Sequence, residues 1–326
     1  MNPRRKRSGS RRRKQGIVLL LILVGGGGFW LSRRDAELYV PPPIPLEERT
    51  PKVLVIGIDG VRPDVLAEVE TPNIDALIVG GSYTARTRTT TPSVSGPSWS
   101  SMLTGVWPEK HGVRDNEFVG RRFDEYPDFL TRIEAVDPEL ATFAAVDWMP
   151  LVEREGGGTT LSTEIDERFA VDGYELGWHA ADLAVVDRAI EHLSFSDPDA
   201  MFVYLGNPDE VSHATNSIGM EYREAIASAD GQIGAIVAAV RARPTFREEN
   251  WLVIVSTDHG RRADGGHGGI SPEEMRTFIL VSGPGAARGT PPNDTFIVDV
   301  AVTALAHLGI DVQPEWDLDG AVVGLP

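Results

Sequence analysis

Six side chains, spread over four short segments, are of the types that hold divalent cations, and a fifth segment places hydroxyls among them. Asp59 closes the apolar run VLVIGIDG, Asp209 and His213 stand in NPDEVSH, Asp258 and His259 in VSTDHG, and His267 in GGHGG. The hydroxyl-rich turn surrounds Ser95. Two carboxylates with one imidazole suit one divalent ion, and one carboxylate with two imidazoles suits a second. Together they make the inventory of a bimetallic hydrolytic site. Each motif alone has an ordinary explanation: an Asp after an apolar strand is commonly a turn former or helix cap, and Asp-His and Gly-His-Gly turns are frequent in loops. The spacing of Asp209 and His213 is more specific, because residues four apart share one face of a helical turn. The complete ordered set carries the metal-site reading. His111, His179, His192 and His307 fall outside it and are expected to cap, pack or lie on the surface.

These residues need strand ends to converge. Lys52–Ile58 is a continuous apolar run, as a buried parallel strand requires, and it delivers Asp59 at its carboxyl end. Further strands are predicted at Thr142–Val146, Met201–Leu205, Trp251–Val255 and Thr277–Val281, with helices over Ala180–Leu193 and Tyr222–Ala242. In the second helix Tyr222, Ile226, Ala229, Ile233, Ile236 and Val240 recur at three- and four-residue spacing. The alternation predicts an α/β fold of three α/β/α layers around a mainly parallel central sheet, with ligands at the carboxyl ends of the strands. Residues 52–326 read as one domain.

The chain has 326 residues, 41% of them hydrophobic, enough to bury a substantial core. Its formal net charge is −17, but residues 1–34 hold ten Lys/Arg and no acid, leaving 21 basic against 48 acidic residues, or −27, in the remainder. So acidic a body excludes a nucleic-acid platform, which needs a basic surface. An anionic substrate must therefore be drawn in by local metal charge. The absence of cysteine removes disulfides, thiolate ligands and a thiol nucleophile.

The amino terminus reads as a targeting element. A basic segment, residues 1–16, precedes an apolar stretch within residues 17–32, expected to be a signal anchor or transmembrane helix, and a Pro-rich linker, residues 33–51, containing Pro41-Pro42-Pro43-Ile44-Pro45. Ile17–Leu31 spans only roughly 22 Å as helix, short for a hydrocarbon core of ~30 Å. With no clean small-x-small cleavage site, an uncleaved anchor is favoured, its basic end cytoplasmic and the domain on the periplasmic or extracellular side. Secretion after signal cleavage is the alternative.

From Thr71-Pro72-Asn73-Ile74-Asp75-Ala76-Leu77 through SVSGPSWSSMLTGVWPEKHG (93–112), and again over 202–269, the chain resembles the nucleotide pyrophosphatase/phosphodiesterase branch of the alkaline phosphatase superfamily. The resemblance covers roughly residues 52–312. It implies an alkaline phosphatase-like fold and places the nucleophilic hydroxyl ten positions before Gly105, on Ser95, where the family more often has threonine; Ser93 and Ser98 are the neighbouring competitors. It implies that Asp209, His213 and His267 ligate one metal, that Asp59, Asp258, His259 and the Ser95 oxygen ligate the other, and that Asn116 donates to a nonbridging phosphate oxygen. Mixed carboxylate and imidazole ligation favours Zn2+, with Mn2+ or Fe as alternatives.

The activity the resemblance implies is hydrolysis of a phosphodiester or nucleotide pyrophosphate bond of a small phosphorylated substrate, through a phosphoserine on Ser95. A phosphomonoesterase, phosphonate hydrolase or phospholipid headgroup transferase of the same superfamily is the alternative. A sulfatase is disfavoured, because Ser95-Gly96-Pro97-Ser98 is not followed through to the Arg of a C/S-x-P-x-R motif. A non-catalytic surface-binding protein is disfavoured by the intact ligand set. Trp148, Met149 and Pro150 stand where a leaving-group wall is expected, with core packing as the equal alternative. Arg261 and Arg262 are expected either to reach a second phosphate or to be exposed for solubility.

Overall fold

The computed structural model describes residues 43–153 and 159–326, and the basic segment and anchor expected before residue 33 lie outside them. Among the described residues seven strands form one sheet: β1 (Thr50–Ile58), β2 (Gly81–Arg88), β3 (Thr142–Val146), β4 (Glu167–Ala170), β5 (Ala200–Leu205), β6 (Glu249–Ser256) and β7 (Arg276–Ser282), in the order β2-β7-β6-β1-β5-β3-β4. The pairs β6–β1, β1–β5, β5–β3 and β3–β4 are parallel, whereas β7 runs antiparallel to both β6 and β2. The sheet is thus mainly parallel with one reversed strand. β1 begins at Thr50, inside the stretch expected to be linker.

The helices are α1 (Pro63–Leu66), α2 (Pro72–Gly80), α3 (Ser95–Thr104), α4 (Pro108–His111), α5 (Phe129–Val136), α6 (Gly173–Leu176), α7 (Trp178–Phe195), α8 (Asn207–Thr215), α9 (Met220–Ala242), α10 (Pro272–Met275) and α11 (Asp299–His307). Side-chain alternation along the strands divides the core in two. Val53 and Val55 of β1 face the layer formed by Trp99 and Leu103 of α3, Phe129 and Ile133 of α5, and Val300 and Leu305 of α11. Leu54, Ile56 and Ile58 face the opposite layer, where α2, α7 and α9 contribute Ile74, Val185 and Ile226. Burial on both faces explains why β1, β5 and β6 read as unbroken apolar runs. All six periodic apolar residues of α9 are buried. Among the described residues no helix is long and apolar enough to cross a membrane.

Candidate metal centre and nucleophile

The carboxyl ends of β1, β5 and β6 bring the six ligand-type residues together in two groups of three: Asp59 with Asp258 and His259, and Asp209 with His213 and His267. Within each group one donor atom per residue lies within 4.8 Å of the others. Asp59 follows β1, and its amide donates to Leu205 O of β5 at 2.9 Å, so the neighbouring strand end fixes its position. Gly60 then turns the chain at φ +64°, where a Cβ would meet the Arg261 guanidinium and the Asp209 carboxylate. Its amide donates to Asp258 Oδ1 at 3.1 Å, which ties the two strand ends to each other.

The hydrogen bonds orient the imidazoles. His259 Nδ1 donates to Gly260 O at 2.9 Å and His267 Nδ1 to Ser93 O at 2.9 Å, which leaves each Nε2 with its lone pair directed into the site. His259 Nε2 lies 3.4 Å from Asp59 Oδ1 and 3.4 Å from Asp258 Oδ2, while His213 and His267 face each other with Nε2 atoms 2.9 Å apart. The rings of His259 and His267 stack at 3.8 Å. Burial pushes His259 down to about 3, and burial with the neighbouring His259 pushes His267 down to about 2, so both imidazoles are neutral. Burial, and then the charge of Asp59, push Asp258 far above the usual carboxylate range. Asp59 Oδ1 and Asp258 Oδ2 are buried without a hydrogen-bond donor among the described residues. Converging acceptors without donors are costly unless a cation completes them, and this donor set fits a divalent ion at each group.

Ser95 is the first residue of α3, and its Oγ lies 3.3 Å from His259 Nε2. Its competitors are engaged elsewhere. Ser93 Oγ donates to Gly269 O and accepts from Gly268 N, and Ser98 Oγ, fully buried, accepts from Thr89 Oγ1. Asn116 lies in a turn, with Oδ1 accepting from the Gly96 amide at 2.7 Å. That bond couples the turn to the start of α3 and frees the Asn116 Nδ2 hydrogens for another acceptor.

Four contacts of the site have no motif behind them. Trp99 Nε1 donates to Asp59 Oδ2 at 3.0 Å and the Tyr204 hydroxyl donates to the same oxygen at 2.6 Å. Trp99 fits because β1 has Gly57 opposite it, where a Cβ would collide with the indole. The arginine of a sulfatase motif would stand at the Trp99 position, which this buried indole fills. Arg261, fully buried, donates to Gly60 O at 2.9 Å and to the Asp209 carboxylate. Neither role expected for it, phosphate contact or exposed solubility, applies. Arg262 is half-exposed and paired with Glu274 and Asp264.

Trp148 packs in the core against Phe118 and Tyr204 and also lines the cleft over the two ligand groups. That cleft, about 200 Å³, also takes in Tyr174 and Glu210, whose side chains are joined by a 3.0 Å hydrogen bond. The histidines outside the set have structural partners: His111 bridges Ser101 Oγ and the Val113 amide, His192 stacks on Phe143, and His307 bonds Asn250 O. His179 is exposed on α7.

Residues 53–263 match the family of Type I phosphodiesterase / nucleotide pyrophosphatase, and the chain belongs to that family. It is 27% identical over 227 residues to an uncharacterised pyrophosphatase/phosphodiesterase of Schizosaccharomyces pombe, covering 64% of this chain and 44% of that protein. It is 24% identical over 231 residues to human ectonucleotide pyrophosphatase/phosphodiesterase family member 1, covering 67% of this chain and 24% of that one. The chain therefore spans between a quarter and a half of the curated relatives it matches. The solved structure of murine ectonucleotide pyrophosphatase/phosphodiesterase 5 superposes with a TM-score of 0.64 at 15% identity, over 83% of this chain and 97% of that one. A 2-O GAG sulfatase superposes with a TM-score of 0.65 at 15% identity, over 84% and 73%. The fold is the one shared by both.

Proposed function

We propose that the chain is a metal-dependent hydrolase of phosphodiester or nucleotide pyrophosphate bonds that works through a phosphoserine on Ser95. The observation that carries this is the placement of the cleft-lining Ser95 hydroxyl beside two separate three-residue ligand groups. Asp59, Asp258 and His259 would hold one divalent cation with the Ser95 oxygen, and Asp209, His213 and His267 the other; zinc suits this mixed donor set, ahead of manganese or iron. When bound, two such ions neutralise phosphoryl charge and favour ionisation of the serine hydroxyl near neutral pH.

The chain's own residues do the rest. Ser95 Oγ gives up its proton to solvent water and forms the bond to phosphorus as the leaving-group oxygen departs with its electron pair and takes a proton from solvent. Water then cleaves the phosphoserine and returns the hydroxyl. Asn116, its Oδ1 held by Gly96 N, directs Nδ2–H at a nonbridging oxygen. The start of α3 presents its backbone dipoles to the same anion. Trp148 and Tyr174 supply the wall for the leaving group. An inactive threonine-to-alanine variant of the murine relative was solved in complex with AMP, which supports a small nucleotide-like substrate here. The basic and apolar amino-terminal segments support an anchor that leaves the domain outside the cytoplasm.

The test is to assay the purified full chain, loaded with zinc, on bis-aryl and mono-aryl phosphate esters. Metal-dependent release of phenol from the diester is expected. A zinc-loaded chain inert toward diesters, pyrophosphates and monoesters alike would overturn the reading.

A further inference from the structure

Helix α8 carries Asp209 and His213, yet its start has no side-chain cap of its own. The N-cap is Gly206, and a Cβ there would meet the Trp178 ring at 2.4 Å and Asp147 Oδ1 at 3.0 Å. The cap comes instead from α7. Asp182 Oδ1 accepts from Gly206 N at 2.9 Å and from Asn207 N at 3.3 Å, placing a carboxylate at the positive end of α8. Beside it, directly after β3, lies Asp147. Both aspartates are buried, at 1% and 0% exposure.

Both oxygens of Asp147 and Oδ2 of Asp182 lack a hydrogen-bond donor among the described residues. Two ionised carboxylates in this position would repel at low dielectric with nothing between them. One proton shared by the pair removes the repulsion and supplies a donor. Neither residue belongs to the two ligand groups.

We propose that Asp147 and Asp182 share one proton and act as positioning residues, Asp147 holding Asp182 in place to cap α8 from outside and so set the direction of Asp209 and His213. The inference rests on the metal-site reading above. The position of Asp147 next to Trp148 joins the cleft wall to the same lock. Burial, and then the charge of Asp182, hold the Asp147 carboxyl well above the usual range, as a shared proton requires.

The experiment is a calorimetric titration of zinc into the metal-free full chain, paired with infrared spectra of the zinc-loaded chain. The native chain is expected to take two equivalents. Asp182→Ala should weaken one equivalent by roughly tenfold or more and leave the other within roughly threefold, because a residue that orients ligands typically costs that much in metal affinity. Asp182→Asn, which keeps the accepting oxygen, should restore it. General destabilisation would weaken both equivalents together. Asp147→Asn, which mimics the protonated acid, should keep both equivalents and lose the protonated-carboxyl stretch seen in the native chain. Native titration of Asp182→Ala, equal weakening of both equivalents, or a protonated-carboxyl band that survives Asp147→Asn overturns the proposal. Should Asp182→Ala fail to fold, the Asp147→Asn spectrum decides it. A native chain that binds no zinc would overturn the metal reading instead, while the infrared comparison still decides the shared proton.

Discussion

The guanidinium of Arg261 lies wholly buried and donates to the carboxylate of Asp209, while its Nε holds Gly60 O and its Nη1 holds Gly265 O at 2.9 Å. One side chain thus links the turn after β1, the start of α8 and the loop that carries His267. Burial draws Arg261 down to about 10, still charged at working pH. Removing it would strand Asp209 without its cation. Arg261→Ala is expected to lower the stability of the metal-free chain by about 3–5 kcal/mol, the usual cost of breaking a buried pair. Urea unfolding measures this, and a loss below about 1 kcal/mol would show that the pair does not hold the loops together.

Ser95→Ala should abolish turnover while the fold and most metal binding persist, because six of the seven expected metal contacts come from other residues. Ser93→Ala and Ser98→Ala should retain catalysis, since those hydroxyls are engaged with Gly269 O and Thr89 Oγ1. Steady-state hydrolysis of a bis-aryl phosphate by each variant makes the comparison. Near-native turnover in Ser95→Ala would move the nucleophile elsewhere.

The strands that deliver the site were legible in the sequence because burial on both faces writes itself as an apolar run. Thr142–Val146 is observed with the bounds expected, and Lys52–Ile58 grows by two residues into β1. β2 and β4 were missed for a physical reason. Both are edge strands with a single neighbouring strand, and their sequences GSYTARTR and ERFA carry no apolar run. The site divides in the same way. Metal-ligand residue types beside strand ends stand out in one dimension, whereas Trp99, Tyr204, Arg261 and Asp182 act through partners between 24 and 201 residues away. Tyr204, inside the apolar run of β5, reads as core until its hydroxyl is seen on Asp59.

Chelation should eliminate activity and zinc should restore it, since His259 and His267 are neutral and supply no positive charge of their own. Asp258→Asn and His213→Ala act on different groups, so each should lose about one equivalent of metal by elemental analysis. Two full equivalents in either variant would undo the assignment of that residue.

The metal-free chain should carry a pH signature from α7. Burial raises the Asp182 carboxyl from its ordinary value of 3.8 to about 6. A carboxyl whose folded-state value is raised contributes stability below about pH 4 that is lost as pH rises through 6, because the folded state keeps the proton longer. A hydrogen bond from Asp147, those from the Asn207 and Gly206 amides, and the charge of His179 oppose this shift, while the charge of Asp59 acts on Asp147. Asp182→Asn should therefore gain stability relative to the native chain between pH 4 and 7, by on the order of 3 kcal/mol, since each tenfold change in proton affinity is worth about 1.4 kcal/mol. Denaturant unfolding at the two pH values measures the difference, and a stability gap that does not change with pH would remove the raised carboxyl from the account.

Diesters should be turned over faster than monoesters by the zinc-loaded chain. A monoester carries about one more negative charge at phosphorus, and preferring it would require a cation aimed at the extra oxygen. Arg261 is committed to Asp209 and Gly60, and Arg262 to Glu274 and Asp264. The described residues lining the cleft include no Lys or Arg, and they place the carboxylate of Glu210 there instead. The acidic body adds a further long-range penalty for a dianion, but screening over ~8 Å at physiological ionic strength leaves the local lining decisive. The readout is kcat/KM for matched bis-aryl and mono-aryl phosphates under one buffer and one zinc concentration. Glu210→Gln should narrow the gap by improving the monoester more than the diester. A monoester kcat/KM tenfold or more above that of the diester would replace the phosphodiesterase reading with a phosphomonoesterase.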